Sequence, residues 1–508
     1  MVAPEGNTRL PNIIVLVLDA VRADVFQKIF ESQWGGVGKL SNLPLLRSES
    51  VRFANAASVS SWTLPAHASL FTGLYPWQHG LHARHSLELS TDQATLAVRL
   101  GGHGYRSISL SANPLLDSDS GILRGFDQVL TASAEAHLHR WASIDLGLGQ
   151  GMRTAQNLAN GERRIQVLGE GFSQRILSTF PFLADGWNRV ARKLRPDDFD
   201  PSSLSVSPWI EMALGMWIAK CEPNKPIFAF VNLIDAHEPF LTDVNEALSL
   251  SRWWKAMRVP QYQAIHVLHP ERFNSDDRAV LFELYAAIVR NLAYRVDRIV
   301  GLLRAQGRWD NTLLVVTSDH GQEFGEHGWL FHGIRVDEPL IRVPLWVRFP
   351  GARHSGTQPA SWASLIDVAP TALHAAGILN STPCTGIPLD ELIDRNSREP
   401  ILAAADGFAY RSMPLRWFPP DRYDDLDRVR VAAYAGNRKV ILTEGRAGVQ
   451  AFDLSADAAE QHDLWPTEGS SLEDLRRAAA DALSKMTAPM RIPLSASTRE
   501  RLSSWGYL

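Results

Sequence analysis

Cysteine, long apolar runs and an excess of charge of one sign are all scarce in this chain of 508 residues. The two cysteines, Cys221 and Cys384, exclude a disulfide scaffold, and neither stands in a metal-binding spacing. Lysine and arginine number 51 and aspartate and glutamate 55, so a net charge of −4 offers no general surface for nucleic acid. No apolar stretch reaches the ~18 residues of a membrane-spanning helix, which indicates a protein without a transmembrane anchor.

The N-terminal segment is unlike a secretory signal. Its apolar run, residues 13–18, is short and is followed directly by Asp19. Together with the low cysteine content, this favours a cytoplasmic location. Hydrophobic residues make up 45% of the chain and charged residues 21%, values typical of a globular protein with a sizeable core.

Short apolar runs alternate with longer amphipathic stretches along most of the chain. The runs have the length and composition of strands buried on both faces, and they cover residues 12–18, 107–111, 226–234, 312–317 and 343–349. A helical period is clearest between residues 277 and 306. This rhythm predicts an α/β fold for residues 1–400, with a large, mostly parallel sheet between layers of helices.

Two regions depart from that rhythm. Residues 131–225 form a variable insertion rich in glycine and serine. Residues 401–508 predict a smaller α+β unit, with antiparallel strands at 429–434, 439–443 and 449–454. A helix is expected from near Ser470 to Met486, with Glu473 available for a capping box.

Acidic and histidine side chains follow three of the predicted strands. Asp19 ends the first, Asp235 and His237 follow the strand at 226–234, and Asp319 and His320 follow the strand at 312–317. One such aspartate most often only caps the next helix. Ligands of open α/β sheets bind at the carboxyl ends of the strands, so three together indicate a metal site. Carboxylates with imidazole favour Mn²⁺ or Zn²⁺, with Ca²⁺ as an alternative.

Thr63 stands at the predicted start of a helix, because Pro65 suits the first helical turn. Free backbone N–H groups at such a position favour an anion. The threonine hydroxyl is either an N-cap or a nucleophile. A nucleophilic role requires a base or a metal to stabilise its alkoxide, and a divalent ion held by Asp19, Asp319 and His320 meets that requirement.

Other polar residues have two interpretations each. Asn113 follows the strand at 107–111 and either contacts a substrate oxygen or caps a turn. His67 either lines the pocket or packs on its own helix. His79 and His327 are expected to hold loops through hydrogen bonds.

The order of these segments resembles the sulfatase-like branch of the alkaline phosphatase superfamily. The resemblance extends over most of the chain, and taken together the ordered set is highly specific. The matching segments are 12–24 (NIIVLVLDAVRAD), 63–80 (TLPAHASLFTGLYPWQHG), 230–240 (FVNLIDAHEPF), 310–333 (DNTLLVVTSDHGQEFGEHGWLFHG), 343–351, 365–371 (LIDVAPT) and 452–464.

Several positions differ from the sulfatase pattern. Sulfatases carry a cysteine or serine, converted to formylglycine, where this chain has Thr63. His67 stands at the arginine position of that motif, His332 at a later lysine position, and Ala20 where an acid often follows the first metal aspartate. The pattern is closer to threonine-nucleophile relatives, namely phosphoethanolamine transferases, lipoteichoic acid synthases and nucleotide phosphodiesterases.

That resemblance implies one tightly held divalent metal at Asp19, Thr63, Asp319 and His320. It also implies that His237 and His332 act on the substrate, with His67, Asn113 and Asp235 as weaker candidates for substrate binding. The predicted protein is a metal-dependent hydrolase or phospho-group transferase that acts on phosphate mono- or diesters through a phosphothreonine at Thr63. The alternatives are a sulfate or phosphonate ester hydrolase without formylglycine, and an inactive binding protein that retains the fold.

The insertion adds an alternative for the substrate. Residues 161–195 carry seven Lys/Arg and three Asp/Glu together with many apolar residues. They form either an extra helical layer over the sheet, or a lid or surface helix that contacts a membrane peripherally. The expected substrate is therefore a small-molecule or lipid-like ester.

Overall fold

The computed structural model describes residues 9–31, 42–113, 115–131, 207–237, 240, 273–378, 384–395, 398–407, 428–446 and 448–487. Fifteen strands are assigned among them: β1 Asn12–Leu18, β2 Val51–Arg52, β3 Ala56–Ala57, β4 Arg106–Ser111, β5 Gln128–Thr131, β6 Ile227–Leu233, β7 Thr312–Thr317, β8 Glu323–Phe324, β9 Leu330–Phe331, β10 Leu345–Arg348, β11 Ala363–Ser364, β12 Ile401–Ala405, β13 Arg430–Ala435, β14 Arg438–Thr443 and β15 Val449–Asp453.

Twelve α-helices are assigned in the same described ranges: α1 Ala23–Glu31, α2 Leu43–Glu49, α3 Thr63–Thr72, α4 Pro76–His79, α5 Leu96–Gly101, α6 Ser207–Lys220, α7 Ser275–Ala305, α8 Glu338–Ile341, α9 Val368–Ala375, α10 Leu389–Leu392, α11 Trp465–Glu468 and α12 Glu473–Met486. None of these helices combines the length and apolar character needed to cross a membrane.

The main sheet has seven strands in the order β2-β10-β7-β1-β6-β4-β5. Strands β7, β1, β6, β4 and β5 run parallel to one another. Strand β10 is antiparallel to β7, and β2 is antiparallel to β10. The carboxyl ends of the parallel strands, where a site was predicted, therefore share one edge of the sheet.

Helices cover both faces of this sheet, so every side chain of the central strand β1 is buried. On β1, Ile14, Leu16 and Leu18 pack toward helices α1, α2, α6 and α7. The alternate side chains, such as Val15 and Val17, pack toward α3, α5 and α9. This three-layer arrangement confirms the predicted α/β fold with its large, mostly parallel sheet.

The C-terminal strands form a separate antiparallel sheet in the order β12-β13-β14-β15, and α12 packs on it. Strand β12 was not predicted, since its sequence ILAAA lacks the β-branched and aromatic signal of a strand. The predicted capping box is wrong: α12 begins at Glu473 after a 3₁₀ turn over Gly469–Leu472, and Leu472 at the N-cap has no side-chain oxygen to offer. The proposed division at residue 400 stays a prediction, and most of the insertion, including 161–195, lies outside the described residues.

Candidate active site

Strands β1 and β7 bring the two metal-site aspartates together. The two strands pair in parallel with Val17 opposite Thr317, so the residues that follow them leave the sheet side by side. Asp19 comes directly after β1, and Asp319 follows β7 with only Ser318 between them. Ala20 adopts a left-handed backbone with φ of 59°, and its N–H donates to Asp319 Oδ1 at 3.1 Å.

A hydroxyl from α7 holds this turn from behind. Tyr285 Oη accepts a hydrogen bond from the backbone N–H of Arg22 at 2.7 Å and donates to the carbonyl of Ala20 at 2.8 Å. Because Tyr285 is fully buried, the contact excludes water from the turn that follows Asp19. Sequence analysis missed this tyrosine, which lies far from Asp19 in the chain.

Asp19, Asp319 and His320 form a compact group in which one potential ligand atom from each lies within 4.8 Å of the others. Asp319 Oδ1 accepts the N–H groups of Ala20 and His320, whereas Oδ2 accepts no hydrogen bond. Asp19 Oδ2 accepts two amide groups, from Asn113 and Asn232, whereas Oδ1 accepts none. Each carboxylate thus keeps one buried oxygen available for a cation.

The imidazole of His320 is oriented to complete this group. Its Nδ1 lies 2.9 Å from the carbonyl of Gly321, which fixes the proton on Nδ1 because a carbonyl can only accept. Its Nε2 lies 3.4 Å from Asp319 Oδ2. This arrangement, in which one ring nitrogen binds a carbonyl and the other faces the carboxylates, is typical of a metal-binding histidine.

Burial and mutual repulsion affect the acid–base behaviour of the pair of carboxylates. Both side chains are fully buried, and burial together with the charge of Asp19 raises the pKa of Asp319 to about 7. Two charged carboxylates are unfavourable in a site that excludes solvent unless a positive charge lies beside them. The donor set, two carboxylate oxygens and an imidazole nitrogen, therefore fits a divalent cation such as Mn²⁺ or Zn²⁺.

Thr63 is the first residue of α3, where the helix leaves backbone N–H groups without helical partners. Trp62, with an extended backbone, occupies the N-cap position, so the N-cap interpretation of Thr63 is wrong. The Thr63 hydroxyl is buried and accepts a hydrogen bond from Asn113 Nδ2 at 3.3 Å. The same amide group reaches Asp19 at 2.8 Å, which places Thr63 beside the aspartates.

Three histidine rings lie in contact at the same edge of the sheet, His320 stacked on His332 and His237 edge-on to it. The His332 ring centroid lies 4.4 Å from that of His320 and 4.8 Å from that of His237. His332 Nδ1 lies 2.9 Å from Gln322 Oε1, an acceptor that sequence analysis missed. Burial and the two neighbouring rings hold the pKa of His332 well below its usual value, so this imidazole is neutral.

The weaker candidates occupy different places. Asn113 contacts both Thr63 and Asp19, whereas Asp235 accepts a hydrogen bond from Ser207. His67 is fully buried, and its Nδ1 lies 2.9 Å from the backbone carbonyl of Thr63.

Sequence analysis also overlooked Asn232. It is a buried polar side chain within the otherwise apolar strand β6, and it links Asp19 with His67. An isolated amide in an apolar strand, three residues before Asp235, is a signal that could have revealed it.

A second group, Glu323, His327 and Asp337, also has the spacing of metal ligands. Its histidine is already engaged at both nitrogens, Nδ1 with Glu323 at 2.7 Å and Nε2 with the carbonyl of Ala459 at 3.0 Å. The hydrogen bond to Glu323 and the charges of the nearby acids raise the pKa of His327 to about 9. This group is therefore an ion-pair network, and His327 holds a loop as predicted, as does His79 through Ser69 and Leu81.

Comparison with known proteins shows similarity to sulfatases and related hydrolases. The Sulfatase family profile matches residues 205–378, and the Type I phosphodiesterase / nucleotide pyrophosphatase profile matches residues 13–94. The N-acetylglucosamine-6-O-sulfatase of Bacteroides thetaiotaomicron is 20% identical over 78% of this chain and 73% of its own length. The multifunctional alkaline phosphatase superfamily protein PehA of Trinickia caryophylli is 23% identical over 74% of this chain and 75% of its own.

These matches support a sulfatase-like protein of the alkaline phosphatase superfamily. The phosphonate monoester hydrolase of Agrobacterium radiobacter shares the fold of this sulfatase-like protein, with a TM-score of 0.66 and 19% identity over 94% of this chain and 95% of that one. The predicted fold is thereby confirmed, and the sequence matches support the predicted sulfatase-like family. Thr63, which the resemblance described above aligns with the formylglycine precursor of sulfatases, is the first residue of α3.

Proposed function

We propose that this protein hydrolyses phosphate mono- or diesters through a covalent phosphothreonine at Thr63. Similarity to sulfatases and to a phosphonate monoester hydrolase supports its assignment to the hydrolases of sulfuric or phosphoric esters. The observation that carries the finer proposal is the bridge from Asn113 to both Thr63 Oγ1 and Asp19. It sets a hydroxyl at a helix N-terminus directly beside a buried acidic group.

Asp19, Asp319, His320 and Thr63 would hold a divalent cation, because the two aspartates keep one buried oxygen each without a hydrogen bond. When bound, the cation supplies the positive charge that stabilises the threonine alkoxide and the charge that develops on the phosphoryl group. Mn²⁺ and Zn²⁺ suit these ligands best. Thr63 Oγ1 accepts the hydrogen bond from Asn113, an arrangement compatible with an alkoxide.

The first chemical step forms one bond and breaks one. Thr63, having lost its proton to solvent, attacks phosphorus in line, and the bond from phosphorus to the leaving oxygen breaks. His237 in its imidazolium form donates a proton to that oxygen, so an alcohol departs and neutral His237 remains. Backbone N–H groups in the first turn of α3 stabilise the negative phosphoryl oxygens.

The second step releases Thr63. Neutral His332 donates a hydrogen bond from Nδ1 to Gln322 Oε1. Its Nε2 is therefore the nitrogen that takes a proton from the attacking water. The hydroxide forms a bond to phosphorus and the bond from phosphorus to Thr63 breaks. An acceptor alcohol in place of water would make the protein a transferase.

Substitution of Thr63 tests the nucleophile. Thr63→Ala removes the hydroxyl and should lower kcat on aryl phosphate diesters by at least ~10³-fold, the scale expected when a nucleophile is lost. Thr63→Ser keeps a hydroxyl and should retain measurable turnover. Mass spectrometry of quenched reactions should detect a phosphoryl group on the peptide that contains residue 63 in wild type and be negative in Thr63→Ala.

The substrate panel for this test contains aryl phosphate, phosphate diester, phosphonate and sulfate esters. Normal turnover of Thr63→Ala would overturn the nucleophile assignment. Preference for sulfate would identify a sulfatase without formylglycine, and no turnover of any ester by the metal-loaded wild type would favour an inactive binding protein. The lipid-like substrate and the cytoplasmic location stay predictions.

A further inference from the structure

A closed ring of hydrogen bonds connects the nucleophile with the first metal-site aspartate. The carbonyl of Thr63 faces His67 Nδ1 at 2.9 Å, and His67 Nε2 faces Asn232 Nδ2 at 3.4 Å. Asn232 Nδ2 also donates to Asp19 Oδ2 at 3.1 Å, and Asn113 Nδ2 donates to the same oxygen at 2.8 Å. Asn113 then returns to Thr63 at its hydroxyl, 3.3 Å away.

The donors and acceptors of this ring match one another. Asn113 Oδ1 accepts the N–H of Leu115, and Asn232 Oδ1 faces the hydroxyl of Ser111, so both NH₂ groups point to the ring. Each NH₂ group has two hydrogens and uses both. Every link therefore has one proton and one lone pair.

His67 uses both ring nitrogens inside the protein. The carbonyl of Thr63 only accepts, so Nδ1 carries the proton and Nε2 is left to accept from Asn232. The ring is fully buried and packs edge-on against Phe230. In this tautomer, His67 has no second N–H group to offer to a substrate oxygen.

We propose that His67 and Asn232 are positioning residues, which hold Thr63 and Asp19 in register with each other instead of binding substrate. The inference rests on the proposed function of Thr63 and Asp19. Thr63 belongs to α3, whereas Asp19 directly follows β1. The ring connects Asp19 to both the backbone and the side chain of Thr63. It also occupies Asp19 Oδ2 twice and so directs Oδ1 to the cation.

The variant His67→Asn opens the ring at the link to Asn232, and it also removes the imidazole whose Nδ1 lies 3.6 Å from Asp319 Oδ2. An asparagine amide can reproduce the donor to the Thr63 carbonyl, but it cannot reach Asn232. We expect the affinity of the purified protein for Mn²⁺, measured by equilibrium dialysis, to fall ~10-fold, as for other losses around metal ligands. We also expect kcat to fall while KM for a phosphate diester changes less than ~2-fold, because no contact with substrate is lost.

His79→Asn is the matched control. His79 is also buried with both ring nitrogens engaged, by Ser69 and by Leu81, but it lies outside the ring. It should lower the melting temperature to a similar degree and leave the Mn²⁺ affinity unchanged. A common loss of Mn²⁺ affinity in both variants would show a general structural effect and overturn the proposal.

Asn232→Leu provides an independent second variant in case His67→Asn does not fold. It removes both donors of the amide and keeps the number and branching of the side-chain heavy atoms, so Mn²⁺ affinity should again fall. If the ring acts as a unit, the double variant should lose little more affinity than the worse single variant. Fully additive losses would contradict a closed ring.

The outcomes separate the two proposals. If wild type itself binds no Mn²⁺ or Zn²⁺, the proposed function fails. If wild type binds Mn²⁺ and His67→Asn binds it equally well, only the positioning role fails. A rise in KM with unchanged Mn²⁺ affinity would make His67 a substrate ligand and would also overturn the inference.

Discussion

At the scale of single residues, Asp19 and Asp319 each use one carboxylate oxygen for hydrogen bonds within the protein and leave the other for the proposed cation. Asp319 gives Oδ1 to two backbone N–H groups, and Asp19 gives Oδ2 to two amides. The remaining oxygens are buried without a hydrogen bond. A buried charge without a partner destabilises the folded state, so this arrangement favours cation binding at the expense of the metal-free protein.

The variant Asp319→Asn should therefore stabilise the metal-free protein while weakening metal binding. Burial and Asp19 raise the pKa of Asp319 to about 7 in the folded state. The stability contributed by its protonated form is present below the unfolded pKa of ~3.9 and is lost as pH rises through about 7. In chelator, the variant should exceed wild type by on the order of 2 kcal/mol at about pH 8.

The difference in unfolding free energy should become small near about pH 3, below the unfolded pKa, where wild-type Asp319 is mostly protonated in both states. Urea titrations in EDTA at several pH values measure it. A variant that is less stable than wild type by the same amount at every pH would show that Asp319 acts through hydrogen bonds alone.

At the scale of elements, the hairpin of β8 and β9 is tied to the C-terminal sheet by buried charges. His327, in the turn of this hairpin, contacts Glu323 and lies 3.9 Å from Glu460. Lys439 on β14 binds Glu460 at 2.6 Å and Glu338 at 3.2 Å. His332 follows β9 directly, so this network also holds the segment that carries a proposed catalytic histidine.

The variant His327→Gln should reveal a pH-dependent part of this stability. Contact with Glu323 raises the pKa of His327 to about 9, above the usual value of 6.5. Its stabilising contribution is fully present below about pH 6.5 and is lost as pH rises toward 9. The stability gap between wild type and variant should be largest near about pH 6 and narrow by about pH 9.

Chemical denaturation across this pH range provides the measurement. His462→Gln is the control, since His462 is exposed and its loss should change the stability little. A gap for His327→Gln that is constant or grows with pH would contradict an ion pair at His327.

At the scale of the whole molecule, one apolar cluster spans the catalytic part and the C-terminal sheet. Trp362 and Leu340 pack there against Ile401, Tyr434 and Phe452. The backbone of β12 also joins the segment that leads to α3, since Ala404 N–H donates to the carbonyl of Val59 at 2.8 Å. The C-terminal sheet therefore buries apolar side chains of the catalytic part and supplies a backbone hydrogen-bond partner to it.

A chain that ends at residue 400 should consequently fail to fold cooperatively. It would expose the apolar face around Trp362 and leave Glu338 without Lys439, and removal of one partner of a buried ion pair costs ~3–5 kcal/mol. Circular dichroism during thermal unfolding measures the effect. A stable, cooperative chain of residues 1–400 would instead establish independent domains.

The buried strands were predictable because each bears a local signal. The predicted runs at 12–18 and 312–317 match β1 and β7, since continuous apolar residues bounded by polar ones fix the ends. The same locality explains the failures: β12 is rich in alanine, and the start of α12 depends on a 3₁₀ turn. Asp19, Thr63, Asp319 and His320 were chosen because each follows a strand or opens a helix.

By itself, the sequence determined the α/β class, the family and the segments that carry the chemistry, because these are written in short runs of neighbouring residues. Only the tertiary structure decided which donors and acceptors pair in hydrogen bonds. The links of Asn232 to Asp19, Tyr285 to Ala20 and Gln322 to His332 join residues of different elements or of separate turns. No local pattern specifies them, since hydrogen-bond partners are set by the way strands and helices pack.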